Sequence, residues 1–197
     1  MRLVHFAGFT GSGKTSLIER ICDDGTDFIA NNEQSSESLK GKCRSVDFFP
    51  FKSPCARIRQ YAYRVDLMKE RKPMIVITEP PGNCLEVSAP MLNQIYINDK
   101  DVELGPLITV MDGRKVSEGI SKRTSEGLRL FNMADESDVI IITFSDMIDD
   151  TAKMSIVDTL SAINEYARII FSGPDSDVSE IRKIVFGDTK YSRPLYN

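Results

Sequence analysis

The sequence predicts a doubly wound α/β domain built on a mostly parallel sheet. Two observations carry this. Short apolar runs recur along the 197 residues without the polar alternation of a half-exposed strand, and amphipathic stretches of helical period lie between them. The first run leads directly into Gly8-Phe9-Thr10-Gly11-Ser12-Gly13-Lys14-Thr15, which fills the pattern G-x-x-x-x-G-K-[ST], and a helical pattern follows. Strand, glycine loop and helix in that order form the opening unit of the P-loop nucleotide-binding folds.

Residues 3–7 form the first strand. The loop glycines Gly8, Gly11 and Gly13 let backbone N–H groups close on phosphate oxygens, and the start of the next helix adds partial positive charge there. Lys14 is spaced to reach the β- and γ-phosphates, and Thr15 to offer its hydroxyl to Mg²⁺. Thr10, Ser12 and Ser16 belong to the same nucleotide-binding stretch. Leu17, Ile18 and Ile21 share one helical face, with Cys22 on its apolar side as a core residue. Residues 28–30 form a second strand. Residues 31–54 read as a long irregular segment, placed where nucleotide switches carry a mobile loop.

Ile58, Ala62 and Val65 mark the next helix, and residues 74–78 a strand that ends at Glu79. An acidic residue at the carboxyl end of a buried strand is where nucleotide enzymes hold Mg²⁺ or position water. Gly82, after Pro80-Pro81, lets the backbone approach the γ-phosphate. The alternative for Glu79 is an exposed residue in an ordinary strand-to-loop turn. Residues 107–111 form another strand. Residues 113–127, with Arg114, Lys115, Lys122 and Arg123 among Glu118 and Glu126, read as a solvated polar loop or as a basic lid over phosphates. Strands over 139–144 and 169–171 follow, with a helix on Ile156, Leu160 and Ile163 between them. A last helix on Val178, Ile181 and Val185 comes after Gly173-Pro174. Residues 1–187 thus read as one domain, and 188–197 as a polar tail.

Composition excludes several classes. A net charge of −4 gives no general attraction to nucleic acid or to an anionic membrane. No apolar run approaches the ~20 residues of a membrane helix. The chain enters its first strand almost at once, so no secretory signal is expected and a cytoplasmic location is. Thiols stay reduced there. The four cysteines, Cys22, Cys43, Cys55 and Cys84, form no C-x-x-C pair. The one histidine, His5, falls in the first strand and reads as a core residue.

GFTGSGKTS together with ITEPPGN resembles the GTPases of metallocentre assembly: the nickel-insertion GTPases of hydrogenase and urease maturation, and the CobW-type metallochaperones. The resemblance extends through DGRKVSEG and MADESDVIIITFSD. It implies a SIMIBI-like G domain, with Glu79 and Gly82 as the Glu-x-x-Gly pair. Asn83 and Cys84 follow as in the hydrogenase members. Those GTPases carry Asn-Lys-x-Asp where this chain has Thr143-Phe144-Ser145-Asp146. Asp146 keeps the acceptor for guanine N1–H and N2–H₂, and the Phe144 ring replaces the lysine stem against the base. Asp146 capping the following helix is the competing reading.

The resemblance further implies metal ligands in the switch segment, which points to Cys43, Cys55 and Cys84 as ligands for nickel, cobalt or zinc. The intact Cys-His motifs are absent, and each cysteine can equally be a small buried hydrophobe. A homodimer and a client metalloenzyme belong to the same expectation; Arg57 and Arg59 stand near the switch segment, and the sequence leaves open whether either acts across a dimer. The function expected is Mg²⁺-dependent GTP binding and slow hydrolysis that drives metal or cofactor delivery. An ATP-dependent small-molecule or nucleotide kinase is the alternative, and a non-hydrolysing scaffold a third reading. Phe9, where MinD-type loops carry a second lysine, argues against that class.

Overall fold

Successive residues of each apolar run face opposite sides of one sheet, and both sides are covered. In the computed structural model, Leu3 and Ala7 face one hydrophobic cluster while Val4 and Phe6 face the other. Ile140 and Ile142 divide from Val139 and Ile141 in the same way. That is why these strands show no polar alternation: a parallel sheet with helices on both faces has no wet side.

The structure describes residues 1–30, 33–48, 58–79, 88–99, 101–122, 125–187 and 189–192. Among them the order is β1 (Arg2–Ala7), α1 (Lys14–Ile21), β2 (Thr26–Ala30), α2 (Glu33–Leu39), β3 (Ser45–Phe48), α3 (Ile58–Lys69), β4 (Ile75–Thr78) and α4 (Ser88–Asn98). Then come β5 (Glu103–Asp112), α5 (Gly113–Lys122), α6 (Ser125–Glu136), β6 (Val139–Thr143), α7 (Asp150–Ile163), β7 (Arg168–Ser172) and α8 (Ser179–Phe186). The strands lie in the order β3-β2-β4-β1-β5-β6-β7, and every described pairing is parallel. The helices α1 and α8 cover one face through Leu17, Ile18, Ile21, Ile181, Ile184 and Val185. The other face carries α3 to α7, through residues such as Tyr61, Leu92, Val116, Leu130 and Leu160.

Two segments differ from the sequence expectation. The stretch 31–54 contains α2 and β3. Both were hidden because α2 is serine-rich and β3 is a short, half-exposed strand at the sheet edge. The expected polar loop 113–127 is the whole of α5 and the start of α6. The two helices approach so closely that a Cβ on Gly119 would lie 2.9 Å from the Cα of Gly127. Small residues at 119 and 127 make that crossing possible, while Arg114, Lys115, Glu118, Lys122 and Glu126 lie on exposed faces.

β1 sits in the middle of the sheet between β4 and β5. The chain passes from β1 to β2 and β3 on one side, and later to β5, β6 and β7 on the other. The crevice at the carboxyl end of β1 is therefore where ligands bind in such sheets, and β1, β4, β5 and β6 all deliver residues to it.

Candidate functional site

The loop after β1 has the backbone a phosphate cradle requires. Gly8 has φ 146°, and a Cβ there would lie 2.4 Å from the Val110 carbonyl oxygen. Gly13 is left-handed, with φ 82° and ψ 11°, and caps α1 without any side-chain hydrogen bond. The first-turn N–H groups of α1 are thus left for an anion. No acidic side chain competes for them in that turn. Inside the loop, the Ser12 hydroxyl is buried and has no hydrogen-bond partner among the described residues. An orphaned buried hydroxyl in a ring of backbone amides fits a phosphate oxygen.

Four side chains converge on this loop from three elements. The Lys14 ammonium donates to the carbonyls of Gly8 at 2.8 Å and Phe9 at 2.9 Å. It lies 3.9 Å from Glu79 Oε1. The Thr15 hydroxyl donates to Glu79, 3.0 Å from Oε2. Ser35, from α2, donates to the same oxygen at 3.1 Å, and its Oγ is 3.0 Å from Thr15 Oγ1. Glu79, with 5% of its surface exposed, is no solvent-facing turn residue. Burial pushes its carboxyl above the usual carboxylate range, against the pull of Lys14. Burial also lowers Lys14, against Glu79. Hydroxyls of Thr15 and Ser35 beside the Glu79 carboxylate form a hard-oxygen set suited to Mg²⁺.

Behind Glu79, Thr78 Oγ1 lies 2.7 Å from His5 Nδ1 and accepts from the Tyr61 hydroxyl at 2.7 Å. This buried network joins β1, β4 and α3 and fixes the strand end that presents Glu79. Burial lowers His5 to about 3, so the ring is neutral there.

The second half of the site lies at the end of β6. The Thr143 hydroxyl is 2.7 Å from the Ser12 carbonyl and 3.0 Å from that of Met111. Phe144 is left-handed, with φ 53° and ψ 34°. A bulky residue held there costs about 1–3 kcal/mol, as strained positions at functional sites do. The Arg114 guanidinium lies 4.1 Å from the Phe144 ring centroid. It is held there by Asp112, whose two oxygens it meets at 2.9 and 2.7 Å.

Asp146 is exposed in the 3₁₀ turn Ser145–Met147 and lies against Gly173, where an added Cβ would be 3.2 Å from Asp146 Oδ1. It does not cap α7: the cap is Asp149, which accepts from the Ala152 N–H at 2.7 Å. Arg20 of α1 draws the turn after β7 toward the loop by donating to the carbonyls of Gly173 and Ser176. On the opposite flank, the Arg129 guanidinium lies 5.0 Å from the Phe9 ring.

The structure therefore brings Lys14, Thr15 and Glu79 together at the loop Gly8 to Thr15, and the strand end that precedes Phe144 and Asp146 is tied to that loop through Thr143. Ser35 and Arg20 carry no signal in the sequence, because serine and arginine outside a motif have no diagnostic spacing, whereas Thr143, which stands at the Asn position of the family's base motif, fastens β6 to the loop. Cys43 is not brought to the crevice. It is buried just before β3, at the end of the sheet opposite Glu79, in the hydrophobic cluster against which Cys22 packs. Gly82, Cys55, Cys84 and Arg57 lie outside the described residues, as does the side chain of Arg59. Among the described residues no three His, Cys, Asp or Glu side chains gather as a metal site, and no helix is long and apolar enough to cross a membrane.

No family model and no curated protein sequence matches the chain. Solved structures do. A Zn(II)-bound triple mutant of the YjiA GTPase superposes with a TM-score of 0.63 at 14% identity, over 95% of this chain and 61% of that one. Zn(II)-bound YjiA GTPase from E. coli gives 0.62 at 13%, over 100% and 67%. FtsY from Mycoplasma mycoides gives 0.57 at 15%, over 94% and 67%. The fold is that of the SIMIBI-class P-loop GTPases. The chain spans about three fifths to two thirds of the length of these structures.

Proposed function

We propose that the chain binds a Mg²⁺-nucleoside triphosphate, prefers GTP, hydrolyses it slowly, and uses the cycle to drive metal or cofactor delivery to a client metalloenzyme. The observation that carries the nucleotide reading is the convergence of Lys14, Thr15, Ser35 and Glu79 on the amide-lined loop.

In this reading the loop amides and the start of α1 hold the phosphates. Lys14 exchanges the Gly8 and Phe9 carbonyls for phosphate oxygens. Thr15, Glu79 and Ser35 would hold Mg²⁺, which neutralises charge on the β- and γ-phosphates when bound. Glu79, directly or through a water, orients the attacking nucleophile. Asp146, with no helix to cap, accepts from guanine N1–H and N2–H₂, and the Phe144 ring, steadied by Arg114, lies beside the base.

The delivery step rests on less. YjiA is a Zn(II)-bound GTPase of the same fold, and the resemblance of the EPPGN segment points the same way. The thiols proposed for a transition metal are Cys55 and Cys84. A two-fold dimer would pair their copies.

Calorimetric titration with GTP and ATP in Mg²⁺ buffer tests the base assignment. A GTP preference of tenfold or more, about 1.4 kcal/mol, that disappears in Asp146→Ala supports it. An ATP preference, or an unchanged preference in the variant, overturns it. ATP preference would favour the kinase alternative.

A further inference from the structure

Residues at the end of β5 hold one ring at the end of β6. Phe144 keeps a left-handed backbone, φ 53°, that among the described non-glycine residues only Lys72 shares. Backbone strain of this kind collects at ligand sites. Asp112 and Thr143 are register partners on β5 and β6, so the residues that follow them rise side by side. Gly113 lets the two chains close up there: an added Cβ would lie 2.9 Å from the Ile142 side chain and 3.0 Å from the Thr143 carbonyl oxygen. The buried Asp112 carboxylate accepts from Arg114 at three points, its backbone N–H at 3.0 Å, Nε at 2.9 Å and Nη2 at 2.7 Å. Nη1 lies 3.6 Å from Met147 Sδ. The guanidinium so held stands 4.1 Å from the Phe144 ring centroid, well within the range of a cation–π pair. Arg114 thus spans Phe144 and Met147, the residues on either side of Ser145 and Asp146. Phe144 is half-buried, so ring surface remains for a second flat partner.

We propose that Asp112, Arg114 and Phe144 form a stacking platform for a purine ring. The platform supplies affinity for adenine and guanine alike, and the choice between them falls to Asp146. The proposal rests on the reading of the crevice as a nucleotide site. The platform adjoins the phosphate loop: the Thr143 hydroxyl lies 2.7 Å from the Ser12 carbonyl oxygen, and an added Cβ on Gly13 would lie 3.4 Å from the Thr143 methyl. A ligand with its phosphates on the loop amides therefore brings its base to the end of β6. A phenyl ring backed by a fastened guanidinium is flat and already ordered, so stacking on it loses little side-chain freedom. Stacking reads no donor or acceptor pattern and accepts any π-face. The two-ring purines bury more surface on it than pyrimidines do. With Nε and Nη2 committed to Asp112, Arg114 is a positioning residue and not a reader of the base edge.

The chain has no tryptophan, so Phe144→Trp puts a single indole on the platform. Its fluorescence is titrated with Mg²⁺-GTP, Mg²⁺-ATP, Mg²⁺-UTP and Mg²⁺-tripolyphosphate, with calorimetry on the same ligands alongside. GTP and ATP should both quench the indole, UTP should bind less tightly than ATP, and tripolyphosphate should bind without quenching. In the otherwise wild-type chain, Arg114→Met and Asp112→Asn should each weaken GTP and ATP by a similar factor, roughly two- to fivefold. Neither should change the affinity for tripolyphosphate. Phe144→Gly suits the left-handed backbone, so it should fold with a thermal midpoint no lower than that of the wild type. It should bind both purine nucleotides roughly 5- to 100-fold more weakly.

Nucleotides that bind without quenching overturn the platform, and UTP bound as tightly as ATP overturns its preference for purines. A loss in Arg114→Met confined to GTP also overturns it, because Arg114 would then read the guanine edge. Unchanged affinities in Arg114→Met and Phe144→Gly do the same. Failure of tripolyphosphate and of every nucleotide to bind overturns the nucleotide reading, and the platform with it.

Discussion

The Thr143 hydroxyl lies 2.7 Å from the Ser12 carbonyl oxygen, and it fastens the end of β6 to the phosphate loop. Both residues are buried. The contact couples the two halves of the crevice: the loop that would hold phosphates, and the Phe144–Asp146 turn that would meet the base. Thr143→Val keeps the shape and removes the hydroxyl, leaving a buried carbonyl short of a donor. We expect a loss of about 1–3 kcal/mol of stability and weaker binding of Mg²⁺-GTP, with Thr143→Ser restoring most of both. Urea unfolding and calorimetry on the two variants check this.

His5 and Glu79 give the stability of the nucleotide-free chain opposite dependences on pH. His5, lowered by burial from 6.5 to about 3, contributes stability that is fully present above 6.5 and is lost as pH falls toward 3. The slope is at most about 1.4 kcal/mol per pH unit. Glu79, raised by burial, contributes most below the ordinary carboxylate range, and that contribution is lost as pH rises through its folded value. Urea midpoints measured from pH 7.5 to about 5 should therefore fall less steeply with acid in His5→Gln than in the wild type. Glu79→Gln should raise the midpoint at neutral pH, because a neutral amide avoids the desolvation that the carboxylate suffers.

The α5–α6 crossing depends on two glycines. A Cβ at Gly119 would meet the Gly127 backbone at 2.9 Å, and one at Gly127 would meet the Gly119 backbone at the same distance. Backbone cannot step aside as a flexible side chain can. Gly119→Ala should destabilise the chain by about 1–3 kcal/mol although alanine is the better helix former. It should also disturb the positions of Arg114 and Arg129, which flank the crevice. A thermal melt measures the first effect, and a weakened nucleotide affinity the second.

Much of the architecture was legible because runs such as 139–143 can only be strands buried on both faces, and because the glycine loop names its own neighbours. What escaped notice lacked an apolar signal. α2 carries a serine-rich sequence and earns its place through Ser35 and Leu39. β3 is an edge strand and only half-buried. α5 hides its core face, Val116 and Gly119, among charges. At the site, Lys14, Thr15 and Glu79 follow from motif and strand end. The Arg114–Phe144 stack and the Ser35 hydroxyl depend on tertiary approach, which residue spacing does not encode. Asp146 had two readings in the sequence, and only the geometry of the α7 cap, supplied by Asp149, removes one of them.

The most direct test of the account is release of inorganic phosphate from Mg²⁺-GTP under excess protein, in the wild type, Lys14→Ala and Glu79→Gln. The account predicts slow, Mg²⁺-dependent release by the wild type. Lys14→Ala should bind the nucleotide more weakly. Glu79→Gln should lose on the order of 100-fold in rate while remaining folded. Equal rates in the wild type and Glu79→Gln, with both folded and saturated, would contradict the placing of Glu79 at the centre of the site.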